Sequence, residues 1–255
     1  IQAMGGVMSL TGVPDGEPMK VAVPICDLMA GMYATVGILA AVRHQSETGE
    51  GQFIDIGMLD THIGWLANQG MNYLATGENP DRIGNMHPNI LPYQVMPTAD
   101  GYIVLSVGND PTFERFCKLA ECEELLEDER FQTNAARVSN RDFVTKTLNE
   151  ITSNKSSEWW LTELEKEKIG CGPINNLDQV FADPHVKARD MVVEMDHPAM
   201  GNKPIKLIAN PIKLSKTPPT YREAPPLLGQ HTDEILGEAG LSIDEIAKLK
   251  ENGTV

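Results

Sequence analysis

Apolar positions in the first third of the chain alternate between two rhythms. Residues 20–26 (KVAVPIC) are β-branched and alternating, which predicts a short extended segment. From Leu28 to about Gln45 the spacing is helical. Small residues recur at Gly31, Ala34, Gly37, Ala40 and Ala41 along a common face. Glycine is a poor helix former, so its recurrence predicts a buried helix that another segment approaches closely. TGEGQ at 48–52 supplies a glycine-rich stop, FIDIGM at 53–58 reads as a strand, and Thr61 to Ala75 reads as a second helix closed by Gly77. Extended segment, helix, extended segment, helix is the rhythm of an α/β domain.

The pattern breaks between Gly77 and Pro92, which hold two Gly, three Pro and three Asn. Residues 79–92 therefore read as a linker or an active-site loop. Beyond it, YQVMPT and YIVLSV flank Asp100 and Gly101, a hairpin signal. Helical patterns dominate from about Pro111 to Arg189, one of them starting near Ser156 and Ser157. Residues 93–188 are thus expected to form a small α+β domain. Extended apolar text returns at 190–215, a Pro-rich connector runs from Pro218 to Pro226, and two short helices end the chain. The last of these opens on a capping box, Ser242 with Glu245. The expected organisation is residues 1–78 in a large domain, 79–92 as loop, 93–188 as small domain and 189–255 as a return to the large domain.

Composition narrows the function classes. The 255 residues carry a formal charge of −15, which offers phosphates and anionic membranes no net attraction. The four cysteines, Cys26, Cys117, Cys122 and Cys171, show no CxxC spacing, and the six histidines show no HxxxH or HExxH pattern. Neither a disulfide scaffold nor a metal site is expected, and a reduced, cytoplasmic setting fits. No apolar run is expected to reach the about 18 residues of a membrane span. The chain opens on Ile1 inside apolar, glycine-rich text, which reads as a piece of a longer protein.

Asp27 stands where extended text becomes helix. It has two compatible readings, a helix N-cap and a nucleophilic carboxylate. Asp55 alternates with Ile54 and Ile56 and faces a polar boundary; Asp60 precedes a helix as a cap. Gly5 and Gly6 lack the spacing of a phosphate loop and are expected to serve tight turns and close packing. His87 lies in the 83–93 loop, a natural lid over a cleft. Cys117 and Cys122 are expected to be core thiols, and Trp159 with Trp160 to dock the small domain.

The text around Asp27 resembles the class III CoA-transferases of the CaiB/BaiF type. The matching pieces are QAMGG at 2–6 with SLTG at 9–12, VPICD at 23–27, GILAA at 37–41, TGEGQ at 48–52 and DIGMLD at 55–60. They continue with DGYI at 100–103, GND at 108–110, FQTN at 131–134, Asn140 with Arg141, GPIN at 172–175, HPAMG at 197–201 and PLLGQHT at 226–232. Each is weak alone; the ordered series spans the chain. The resemblance implies an α/β fold: a Rossmann-like large domain, incomplete here, a small α+β domain inserted between its two halves, and an interlocked homodimer. It implies that Asp27 is the catalytic carboxylate, forming an aspartyl-acyl anhydride and then an aspartyl-CoA thioester. An acyl-CoA and a small organic acid are the expected partners, with no cofactor beyond the CoA thioester substrate. A residue at the position of Met58 lines the pocket in relatives, and Asn85, His87 and Asn89 are the polar candidates for the acceptor, with Arg82 at the loop's edge. An α-methylacyl-CoA racemase shares this fold and this aspartate, but needs a small-domain glutamate near Asn109 and Asp110, where the chain follows the transferase pattern. A third expectation is an inert folding or dimerisation module without its CoA site.

Overall fold

The computed structural model describes residues 1–201 and 203–255, which form two compact units, Ile1–Ile174 and Asn175–Val255. The first unit opens with α1 (Val7–Leu10), α2 (Ile25–Thr48), α3 (Met58–Gly64) and α4 (Ala67–Thr76). Pro24 sits at the N-cap of α2 and Gly49 ends it with φ 80°. Glycine takes that left-handed turn without a Cβ penalty, and its N–H reaches the Gln45 carbonyl at 2.8 Å. Asp27 is therefore the third residue of the helix, not its cap. The predicted second helix is two helices, broken at Trp65 and Leu66, where Ala67 takes φ 46°. Residues 20–24 and 53–57 lie in neither sheet; 22–23 form a bend, and the Ile25 N–H turns back to the Val23 carbonyl at 2.8 Å. A strand needs a neighbour for its ladder, and these segments have none among the described residues.

The rest of the first unit is a well-packed α+β body. β1 (Tyr93–Pro97) and β2 (Tyr102–Ser106) form the predicted hairpin about Asp100 and Gly101, pairing Val95 with Val104. Next come α5 (Asp110–Leu119), α6 (Asn134–Ser139), α7 (Arg141–Thr152) and α8 (Ser157–Lys166), and β3 (Gly170–Pro173) then closes the sheet in the order β1–β2–β3, antiparallel throughout. The helices form because apolar residues recur at helical spacing behind side-chain caps. Phe113, Phe116 and Cys117 line α5 behind Asn109; Trp160 and Leu164 line α8 behind Ser156. These side chains join Leu91, Met96, Ile103, Leu105, Phe131, Val144 and Leu148 in one core. Full burial of each large apolar side chain contributes about 1.5–3 kcal/mol, so this core is the main stabilising element of the unit. Trp160 is a core residue rather than a docking group: its indole N–H donates to the Thr152 carbonyl at 2.7 Å and its ring lies against Phe116.

The second unit contains α9 (Leu177–Ala182), α10 (Pro184–Ala188), β4 (Val192–Met195), β5 (Ile205–Ile208), α11 (Thr232–Glu238) and α12 (Ile243–Glu251). β4 and β5 pair antiparallel. The units divide at 174/175, directly after β3 completes its sheet, so α9 and α10 belong to the second unit rather than to the body expected over 93–188. The capping box of Ser242 and Glu245 forms in both directions. Asn202 of the HPAMG neighbourhood lies outside the described residues.

The expectation of a buried α2 does not hold within this chain. Only 6% of its most apolar stretch is buried, and Leu28, Met32, Val36, Leu39 and Val42 are exposed. A Cβ on Gly31 would meet nothing within 4 Å, whereas one on Gly37 would lie 3.3 Å from Ile54. The helix packs against α3 and the 54–56 segment, and most of its large apolar side chains are exposed. It is also long and apolar enough to cross a membrane by length and composition, which corrects the reading of its apolar run as too short. Asp27, Arg43 and Glu47 interrupt the run near its ends without lowering its average much.

Candidate active site

The start of α2 is held by contacts that the linear text does not advertise. Cys26 and His62 are both buried, 4% and 1% exposed, and their Sγ and Nδ1 atoms lie 3.3 Å apart. His62 belongs to α3, so this contact pins the first turn of α2 to α3. The imidazole presses on Gly5: a Cβ there would sit 2.1 Å from His62 Cδ2. Gly5 is thus required by close approach, and Gly6 by a left-handed turn at φ 90°. Gln2 adds a two-way amide clamp. Its Oε1 accepts from the Val21 N–H at 2.8 Å, and its Nε2 donates to the Val21 carbonyl at 3.3 Å. Packing, not phosphate binding, explains the paired glycines.

These contacts present Asp27 at the surface. Its residue is exposed in the first turn of a 24-residue helix, where the helix dipole favours negative charge. Met58 opens α3, one helical turn before the His62 that touches Cys26, and is 36% exposed. Asp55 and Asp60 are also exposed, but Asp60 folds back on Gly57, where a Cβ would lie 2.8 Å from its Oδ2.

The 82–93 segment is tied at both ends. At its start, Arg82 Nη2 donates to the Gly16 carbonyl at 2.8 Å, and the Gly84 N–H donates to the Gly12 carbonyl at 3.0 Å. At its end, the His87 N–H donates to the Tyr93 carbonyl at 2.9 Å, and the two rings stack at 5.2 Å. The Asn89 N–H donates to His87 Nδ1 at 3.1 Å. A backbone N–H has a proton to give, so Nδ1 must accept, and the neutral imidazole carries its own proton on Nε2. Asn85 is exposed. No hydrogen bond among the described residues joins Asn85 or His87 directly to Asp27.

The residue that sequence reasoning missed is Arg137. It is fully buried on α6, and its guanidinium donates to the Leu91 carbonyl (2.7 Å), the Phe131 carbonyl (2.7 Å) and Asp110 Oδ1 (2.8 Å) while lying over the Phe113 ring. Burial pushes its pKa down, and Asp110 opposes that. Asn109 caps α5 through the Thr112 N–H, and the Asp110 carboxylate pairs with Arg137 at 2.8 Å. Cys117 and Cys122 are buried free thiols. The contact with Cys122, and then burial, push the Cys117 thiol pKa up, away from the reactive thiolate. Among the described residues no group of three His, Cys, Asp or Glu side chains could hold a metal ion.

Comparison with known proteins places this geometry. Residues 1–232 match the family model "CoA-transferase family III". The chain is 42% identical over 93% of its length to the succinate–glutarate CoA-transferase of Agrobacterium fabrum, covering 59% of that protein. It is 37% identical over 99% of its length to the succinyl-CoA:glutarate CoA-transferase of Homo sapiens, covering 58%. A CaiB/BaiF family protein from Brucella suis, solved by crystallography, superposes with a TM-score of 0.77 at 42% identity, over 93% of this chain and 61% of that one. The chain thus spans about three-fifths of the length of these relatives. With a mixed α/β structure that matches the CaiB/BaiF proteins and a family match over nearly all its residues, this chain belongs to the class III CoA-transferases.

Proposed function

We propose that this chain carries the catalytic aspartate of an enzyme that moves coenzyme A from an acyl-CoA thioester to a small dicarboxylic acid. The observation that carries the proposal is Asp27: an exposed carboxylate in the first turn of α2, its backbone fixed by the Cys26–His62 contact and the Gln2 clamp. One Asp27 oxygen attacks the thioester carbonyl, the C–S bond breaks, and an aspartyl-acyl anhydride forms as the CoA thiolate leaves. The thiolate attacks the aspartyl carbonyl, giving aspartyl-CoA and releasing the donor acid. The acceptor carboxylate attacks that thioester to form a second anhydride, and the thiolate takes the acceptor's acyl group, restoring Asp27. The cycle closes with the CoA thioester as substrate. Relatives are named for succinate with glutarate and for succinyl-CoA with mesaconate, which supports a dicarboxylate as acceptor. The second carboxylate of such an acid needs a donor, because burying it unpaired costs several kcal/mol. The Nε2–H of His87 supplies one, with Asn85 beside it and Met58 forming apolar wall.

The proposal includes a Rossmann-like large domain completed by further chain, an interlocked homodimer and a cytoplasmic setting. A racemase is disfavoured because Asp110 is already engaged by Arg137. The test uses full-length protein with succinyl-CoA and a panel of mono- and dicarboxylic acids. Exchange with dicarboxylates that Asp27→Asn abolishes, without deuterium wash-in at the acyl α-carbon, is the expected result. Undiminished exchange by Asp27→Asn would sink the mechanism.

A further inference from the structure

Three side chains of α6 and α7 grip the backbone that follows His87. Arg141 Nη2 donates to the Pro88 carbonyl at 2.7 Å. Asn134 Nδ2 donates to the Asn89 carbonyl at 2.8 Å, while its Oδ1 accepts the Leu91 N–H at 3.1 Å. Arg137 holds the Leu91 carbonyl. Thus the carbonyls of residues 88, 89 and 91 and the amide of 91 all end on side chains 43 to 53 residues further along the chain. This is more than a loop needs to stay solvated, because water would satisfy the same groups at an exposed surface. The consequence falls on His87. Asn89, whose carbonyl Asn134 holds, is the residue whose N–H fixes the His87 tautomer. Tyr93 fixes the ring plane from the other side.

We propose that Asn134 and Arg141, supported by Arg137, are positioning residues that lock His87 with its Nε2–H directed outward as a fixed donor, making the 83–93 segment a rigid acceptor wall and not a lid. The acceptor role rests on the function proposed above; the lock does not. A lid would have to break four backbone anchors with each opening, two of them to guanidinium groups, which make the stronger class of hydrogen bond. A fixed donor suits a carboxylate of constant geometry, since its orientation is set before the acid arrives.

The experiment uses full-length protein, parent beside Asn134→Ala, Arg141→Met and Arg141→Lys; Arg137 is left intact because its burial makes failure to fold a risk. Nitrogen-15 histidine spectra and amide exchange of residues 85–92 read the lock without any activity. The parent should show one neutral Nε2–H signature for His87 and a protected Leu91 amide. Asn134→Ala should mix the tautomers and lose that protection. Kinetics read the wall: KM for dicarboxylic acceptors should rise about tenfold in Asn134→Ala and Arg141→Met, the loss of about one hydrogen bond. Formation of aspartyl-CoA from the donor, and kcat with monocarboxylic acceptors, should stay near parental values. Arg141→Lys, which keeps a donor for Pro88, should recover part of the loss. Unchanged histidine spectra and amide exchange in the variants would overturn the lock. A clear lock with equal losses for both acid classes would overturn the acceptor wall. A parent inactive in thioester exchange would fell the function and the wall with it, while the spectra still decide the lock.

Discussion

Gly5→Ala tests the site through a single methyl group. The backbone at Gly5 is not left-handed, so alanine is conformationally allowed there; the obstacle is His62, 2.1 Å from the new Cβ. Ordinary carbon contact begins near 3.5 Å, so about 1.4 Å of overlap must be relieved. The neighbouring atom is a ring carbon of a side chain only 1% exposed, so relief requires a buried ring to repack. Overpacking of this kind costs about 1–3 kcal/mol. If the ring moves instead, it carries the 3.3 Å contact to Cys26, and so the turn that presents Asp27. Misplacement of a reacting group by about 1 Å can cost a hundredfold in rate. The expected outcome is a folded full-length enzyme with thioester exchange reduced about 10- to 100-fold. His62→Ala alone should also lower exchange, by releasing Cys26. In the double variant Gly5→Ala/His62→Ala the new methyl enters the space the ring vacated, so its losses should be smaller than the sum of the single losses. Parental exchange by Gly5→Ala, or strictly additive losses in the double variant, would refute the reasoning.

Arg137→Met should destabilise the small α+β body by about 3–5 kcal/mol, since it strands the Leu91 and Phe131 carbonyls and leaves Asp110 unpaired; the near-ultraviolet signal of Trp159 and Trp160 during urea titration checks it. Asp100 accepts from the Ser157 N–H and hydroxyl and from Thr98, which, the Ser157 amide first, hold its carboxyl below the ordinary aspartate value of 3.8. A depressed carboxyl stabilises above the unfolded pKa and loses that contribution as pH falls through the folded one, so Asp100→Asn should lower stability at neutrality and converge on the parent as pH falls below about 4, which flattens the acid limb of its stability curve.

What the sequence discloses follows the range of the forces involved. The Asp100–Gly101 hairpin, the Ser156 start of α8 and the Ser242–Glu245 capping box are settled by neighbours a few residues apart, and each is legible as text. Cys26 and His62 lie 36 residues apart, with no periodicity to link them; only the fold shows that Gly5 is small because a ring needs its space. Arg137 is harder still. An arginine in a polar helical stretch reads as a solvated face, yet this one is buried among carbonyls. The signal available was its position between FQTN and Asn140–Arg141, noted as family text without a structural role. The 53–57 segment fails as a strand for the opposite reason: its alternation is genuine, but a strand exists only with a partner, and it pairs with none among the described residues.

The same logic bears on α2, whose composition asks for cover that the described residues of its own unit do not supply. A contiguous apolar face of this kind marks a surface meant for another body. Under the interlocked-dimer reading, the cover and the closure of the site are one event. Asp27 lies at the end of the helix whose sides are bare, and an anhydride on that carboxylate survives only where water is kept out. Leu39, 65% exposed here, separates the alternatives. If the intact protein leaves α2 in water, Leu39→Glu is a surface change worth within about 0.5 kcal/mol, and dimerisation and exchange should be parental. If α2 is covered by protein, the substitution buries a carboxylate without a partner, at several kcal/mol. Sedimentation of the full-length variant should then show monomer or aggregate in place of the proposed dimer, and thioester exchange should fall with it. A dimeric, fully active Leu39→Glu enzyme would mean that the apolar face of α2 is not the interface and that water is excluded from Asp27 by other means.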